Sequence, residues 1–218
     1  MSRATLASLD ISLYPLEWEQ QTFSSPSTVL KAIIANEIAI EPEAFTKRLL
    51  KNNIYQDWIN ATVFGRYIQR SFAAFHQQSE DSFNMEVPAL FRHELMRHAQ
   101  YLPTEQILFV AGDMPKSARI DKLFTTTVNP ATVVTDAKSL LKTAQANTQT
   151  PIINQITIAS KQVIGFPVRH NKRTSERTRN EVLILEFNNL RLVNEEIVES
   201  TKKSNTAETI LLRYYELR

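Results

Sequence analysis

The run Val182-Leu183-Ile184-Leu185 sits inside the stretch Arg179-Asn180-Glu181-Val182-Leu183-Ile184-Leu185-Glu186-Phe187. Four consecutive large apolar residues fit a strand covered on both faces, although run length alone does not exclude a helix. A strand buried on two sides needs a layer above it and a layer below it, and this limits the fold more than any other segment does. Its approach is polar: residues 169–179 carry five Lys or Arg against one acid, Glu176, and a single carboxylate, Glu181, stands where loop becomes core. That glutamate is either an edge-of-core residue beside a solvated loop or a carboxylate fixed on a rigid platform for chemistry.

The rest of the chain supplies the two layers. A serine cap at Ser25-Pro26-Ser27 precedes Val29, Leu30, Ile33, Ile34 and Ile38 at helical spacing. A second helix is expected from Pro42 through Phe45, Leu49 and Leu50, ending at Asn52-Asn53, and a third from Trp58 to Gln78. A fourth starts near Pro88 and turns Leu90, Phe91, Leu95 and Ala99 inward. Residues 1–22 show no element. After Leu102-Pro103 the pattern becomes extended: Ile107 to Val110, then Leu123 to Val128, each bounded by turn residues. A helix carrying Val133, Val134, Ala137, Leu140 and Leu141 inward is followed by strands at 152–158, 163–168, 181–187, 190–193 and 209–217. Helices first and strands after is an α+β order, not a repeating βαβ one. A helical N-terminal extension, 1–60, and a following unit, 61–218, are expected to form one continuous body of 218 residues.

Several chemistries are excluded by composition. The chain has no cysteine, which removes disulfides, thiolate catalysis and cysteine-based metal sites. Its three glycines, Gly65, Gly112 and Gly165, are too scattered for a Walker loop, a dinucleotide GxGxxG turn or a GxSxG elbow. His93 and His98 are five apart, about 140° around a helix, not the four that lets two histidines share a metal, so no metal site is expected. The opening residues, MSRATLASLDISLYPLEWEQQ, lack the apolar core of a secretory signal, and no run approaches a membrane span, so a cytoplasmic location is expected. A formal net charge of +2 is too mild for the whole surface to attract nucleic acid, which leaves the 169–179 loop as the local patch for it.

Three segments in this order resemble the mono-ADP-ribosyltransferase family of bacterial toxins and vertebrate arginine-directed ectoenzymes: Leu102-Pro103 with Leu108-Phe109-Val110-Ala111-Gly112, then Thr125-Thr126-Thr127-Val128-Asn129-Pro130, then Arg179-Asn180-Glu181-Val182-Leu183-Ile184. The last strand, Thr206 to Leu217, is similar to the family's closing strand, and the likeness runs from about residue 60 to the end. The resemblance implies N-terminal helices packed on a split two-sheet β core, with NAD as the substrate whose nicotinamide-ribose bond is cleaved. It gives Glu181 the catalytic place, bonding a ribose hydroxyl and stabilising an oxocarbenium-like state. Thr125, Thr126 and Thr127 would hold that carboxylate and the nicotinamide ribose, Thr125 at the family's first serine position. Phe166 would stack on the nicotinamide ring.

Two departures refine what the resemblance implies. The family's pyrophosphate-clamping arginine falls at Val110 or Ala111, so Lys116, Arg119 or Arg97 must supply that cation or NAD binding is weak or absent. Arg179 stands where arginine-directed members carry glutamate, and its charge repels a guanidinium, so the acceptor is not an arginine side chain. Arg179, Arg177, Arg173 and Lys172, with Arg169, suit phosphate contacts, which makes RNA or DNA the expected acceptor. The same loop would also fit an acidic inhibitor protein. The alternative is a catalytically silent domain of the same fold that binds nucleic acid or a partner protein through this loop.

Overall fold

The computed structural model of the chain describes residues 3–60, 93, 95–143, 150–169, 178–199 and 209–218. The expected helix from Trp58 to Gln78 and the start of the one at Pro88 lie largely outside these residues, as do Lys172, Arg173 and Arg177. The N-terminal part holds α1 (Leu9–Leu13), a hairpin of β1 (Leu16–Trp18) and β2 (Gln21–Phe23), α2 (Pro26–Ile34), α3 (Pro42–Leu49) and α4 (Asn53–Asn60). There follow β3 (Gln100–Tyr101), β4 (Ile107–Ala111), α5 (Lys116–Ile120), β5 (Phe124–Thr127) and α6 (Pro130–Thr143). The chain ends in β6 (Ile152–Ile158), β7 (Ile164–Pro167), β8 (Glu181–Glu186), β9 (Leu190–Glu199) and β10 (Thr209–Leu217). This is the α+β order read from the sequence.

Local chemistry sets the helix starts. The Ser25 hydroxyl accepts from the Thr28 N–H while the Thr28 hydroxyl accepts from the Ser25 N–H, a reciprocal cap that satisfies two otherwise unpaired donors. Pro26 occupies the first turn, where a missing N–H costs nothing. Asn129 starts α6 in the same manner, its Oδ1 accepting from the N–H groups of Ala131 (3.0 Å) and Thr132 (3.2 Å). Four expectations are corrected. Residues 1–22 are not featureless, because α1 and the β1–β2 hairpin lie there; α3 ends before Asn52-Asn53 as expected, but the next helix, α4, begins at Asn53 and not at Trp58, with Asn52 Oδ1 accepting from the Tyr55 N–H. The loop around Lys116 and Arg119 is the short helix α5, and β9 continues to Glu199 instead of ending at Val193.

Eight strands form one sheet in the order β3-β7-β8-β5-β4-β6-β10-β9, antiparallel except for β6 beside β10. β8 is buried from Glu181 to Leu185, as a strand covered on both faces requires. The sheet is nonetheless split. β5 is joined to β8 by four residue pairs and β4 to β6 by five, but β4 and β5 meet at one pair only, Phe109 with Thr127. Two four-stranded halves therefore diverge from a single contact. α2 and α3 pack on α6, and Leu9, Leu30, Phe45 and Trp58 share one buried cluster with Phe109, Ile156, Ile184 and Leu212. A second cluster joins Leu95 and Ala99 to Phe166, Leu183 and Leu185.

Residue Asp10 ties α1 to the sheet. Its carboxylate accepts from Gln106 Nε2 (2.6 Å) and from the Ile107 N–H (2.8 Å), while Gln106 Oε1 accepts from the Leu9 N–H. Burial pushes the Asp10 carboxyl up to about 7, with both of those hydrogen bonds pulling the other way. A carboxyl that holds its proton more tightly folded than unfolded favours folding fully below its ordinary value of 3.8, and that contribution is lost as pH rises through about 7. The stability of the native chain relative to Asp10→Asn should therefore decline across that window by a few kcal/mol, at about 1.4 kcal/mol per pKa unit. Urea midpoints of the two proteins measured at intervals of pH test this, and a difference that stays constant would refute it.

Candidate functional site

The seam between the two sheet halves opens into a cavity of about 390 Å³. One wall is Phe109, Val110 and Ala111 of β4; the floor is Thr125, Thr126 and Thr127 of β5; α6 contributes Thr132, Val133, Asp136, Ser139 and Leu140; and Arg179 and Glu181 close the far side. Glu181 is 8% exposed and lies directly across the ladder from Thr127. Its position is fixed through the main chain. The Val168 N–H donates to the Glu181 carbonyl (2.8 Å) from one side, and the Val128 N–H to the Asn180 carbonyl (3.2 Å) from the other.

A buried polar junction stands immediately before it. Asn180 adopts a φ of 46°, a left-handed conformation that asparagine tolerates better than most side chains, and is 2% exposed. Its Oδ1 accepts from the Thr46 hydroxyl (2.7 Å) and from Asn129 Nδ2 (2.9 Å), and its Nδ2 donates to the Tyr55 hydroxyl (2.9 Å). Asn129 Nδ2 also reaches the Pro42 carbonyl at 3.1 Å, and the Thr132 hydroxyl donates to the Thr178 carbonyl at 2.7 Å. Burial raises the Tyr55 hydroxyl to about 12, against the pull of its hydrogen bond with Asn180, so it stays protonated. α3, α4, α6 and the β8 approach are thus locked together at one point. Sequence reading marked Asn129 and Asn180 only as parts of motifs, and did not single out Thr46 or Tyr55.

The three threonines divide their work. The Thr126 hydroxyl donates to the Val182 carbonyl (2.8 Å), and the Thr127 hydroxyl donates to the Arg179 carbonyl and accepts from the Asn129 N–H (3.0 Å). Both hold β5 to the β8 segment. Thr125 lies two residues along the same strand face as Thr127, opposite Leu183. Phe166 is not brought to the cavity: its ring is 1% exposed and packs with Leu95, Ala99 and Leu183 in the second cluster. Lys116 and Arg119, on exposed positions of α5, are not among the cavity-lining residues, and neither is Arg97. Leu140, expected inward, is 49% exposed and lines the cavity. Arg169 at the start of the basic loop donates to Asn60 Oδ1 (2.9 Å).

Charge at the site is unlike what the sequence pattern led one to expect. Arg179 does not stand clear as a phosphate contact: its Nε is 3.1 Å from Glu181 Oε1, and its Nη2 is 3.9 Å from Asp136 Oδ2. Asp136 is a site residue that sequence reading missed. Burial pushes its carboxyl above the usual range, the Arg179 guanidinium pulls it back, and the Glu181 charge adds to the rise. Among the described residues lining the cavity there are two acids and one base, and no group of His, Asp or Glu among the described residues could hold a metal ion. No helix among them is long and apolar enough to cross a membrane.

No protein-family model matches the chain, and no curated protein matches it either. Among solved structures it is similar to the enzymatic component C2-I of the C2 toxin from Clostridium botulinum. At pH 6.1 the likeness is 12% identity with a TM-score of 0.39, over 86% of this chain and 46% of that one. At pH 3.0 it is 10% identity with a TM-score of 0.40, over 86% and 45%. The chain thus spans about half the length of that component. It is also similar to the ADP-ribosyltransferase Vis in complex with agmatine, at 10% identity and a TM-score of 0.35, over 96% of this chain and 90% of that one. At such identities and scores no residue here takes a role from those proteins.

Removing the Asn180 side chain leaves Thr46, Asn129 and Tyr55 short of partners and puts a Cβ-bearing residue without a compensating hydrogen bond at positive φ. Asn180→Ala is expected to cost about 3 kcal/mol by urea unfolding. A loss below about 1 kcal/mol would mean that the junction is not structural.

Proposed function

We propose that the chain is an NAD-dependent ADP-ribosyltransferase of toxin or effector type, with Glu181 as its catalytic carboxylate and nucleic acid as its acceptor. The observation that carries this reading is a nearly buried glutamate, held rigidly one strand from the split in the sheet, beside the threonine strand it pairs with and lining a cavity of about 390 Å³. The bond broken is that between the ribose C1′ and the nicotinamide nitrogen, whose electron pair leaves with neutral nicotinamide. Positive charge then develops on the ribosyl ring, and a carboxylate beside it lowers the barrier, as in glycoside hydrolysis. An acceptor nucleophile attacks C1′ and gives up its proton. Thr125, on the Glu181 face of β5, would orient a ribose hydroxyl, while Thr126 and Thr127 tie β5 to β8 and to the residues before it.

The acceptor reading rests on charge. Lys172, Arg173 and Arg177 belong to a five-cation stretch of sequence that ends at Arg179, a cavity-lining residue. Such a loop suits phosphate contacts with little base reading, since it holds no Phe, Tyr or Trp. It would equally receive an acidic inhibitor protein.

A specific observation also favours the second reading, a silent domain of this kind that binds nucleic acid or a partner protein. Val110 and Ala111 line the cavity where a pyrophosphate clamp would be needed, and Arg179 is engaged by two carboxylates. One experiment separates the two. The protein is incubated with labelled NAD and, in turn, RNA, DNA and a protein extract, with nicotinamide release followed alongside. Transfer to nucleic acid that falls at least about 100-fold in Glu181→Gln, with unfolding unchanged, is the expected result. Salt-sensitive RNA binding lost on neutralising Lys172, Arg173 and Arg177, with no nicotinamide released, would establish the silent domain.

A further inference from the structure

In the structure the Arg179 guanidinium contacts the carboxylate on which the proposed reaction depends. With Nε 3.1 Å from Glu181 Oε1, it lends positive charge to the spot where positive charge must develop. One of the two has to yield, and it cannot be Glu181. That residue starts a buried strand and is held by a backbone hydrogen bond from Val168 and by ladder pairing to β5, whereas the Arg179 side chain is half-exposed and long. A second anchor is already in reach, because Arg179 Nη2 stands 3.9 Å from Asp136 Oδ2 on α6. The guanidinium carries five N–H donors in a rigid fork, enough to pass from one carboxylate to the other without losing its ionic partner.

We propose that Asp136 is a positioning residue for this site: it draws the Arg179 guanidinium off Glu181, so that the carboxylate's charge is available to the ribosyl cation. This rests on the transferase reading above. Asp136 is suited to the task by its place. It lies on α6, a helix capped by Asn129 within the buried junction, so it stays fixed relative to Glu181 while the arginine moves. The charged groups lining the cavity are Asp136, Glu181 and Arg179 alone among the described residues, so no other described lining carboxylate can take the guanidinium. Its partial burial disfavours an unpaired charge, and arrival of the guanidinium offsets that cost.

The test is a double-mutant cycle on nicotinamide release, using full-length protein whose urea midpoints have been compared. Asp136→Asn should lower kcat about tenfold with a smaller change in the KM for NAD, Asp136→Glu should restore it, and in the Arg179→Gln background Asp136→Asn should cause no further loss. A loss of equal size in both backgrounds would mark Asp136 as merely structural and overturn the proposal. So would release that is indifferent to Asp136 in the native background. If the native protein releases no nicotinamide, the transferase reading falls and this proposal with it, an outcome distinct from release that ignores Asp136.

Discussion

The four-way contact among Asn180, Asn129, Thr46 and Tyr55 is the constraint on which the site depends. A buried amide carries two donors and two acceptor lone pairs, and leaving one unpaired costs about 1–3 kcal/mol, so these side chains tolerate little displacement. Because the four come from α3, α4, the start of α6 and the approach to β8, satisfying them fixes the relative placement of all four segments. Glu181 is the next residue after that lock. The cost of holding Asn180 at positive φ is met by three hydrogen bonds from its side chain, which is how a strained backbone position persists next to a site.

The split in the sheet is the second condition. Had β4 and β5 paired along their length, the seam that opens into the cavity would be closed. One ladder pair, Phe109 with Thr127, keeps the halves attached while letting them diverge, and α6 spans the gap from one side. The same geometry explains why adjacent threonines differ in function. Side chains alternate across a strand, so Thr126 looks away from Thr125 and Thr127; its hydroxyl bonds the Val182 carbonyl while Thr127 bonds the loop that precedes Glu181.

Electrostatics then qualifies the chemistry. A loop counted as five cations in the sequence brings at least one of them, Arg179, half-exposed, against a pair of carboxylates, and Arg169 is turned to Asn60. Local charge density in a sequence is therefore a poor guide to the potential inside the cavity next to it, because the cavity sees its own acids first. Asp136 is partly desolvated, and its proximity to Glu181 makes the guanidinium between them the natural counter-ion for both.

Sequence alone determined the parts that depend on local rules. A run of four apolar residues marked β8 as buried, Ser25 and Pro26 marked the start of α2, and the change from helical to alternating spacing after Leu102 gave the α+β order. Such features are legible because helix and strand periods, caps and turn residues act over a few positions. Tertiary structure alone decided which polar residues meet. Thr46 and Asn180 lie 134 residues apart, and no spacing rule connects them or sets Asp136 beside Arg179. It also decided that Phe166 fills a core instead of facing a ligand, because an aromatic on a strand has two faces to choose from and packing against Leu95 and Leu183 makes the choice.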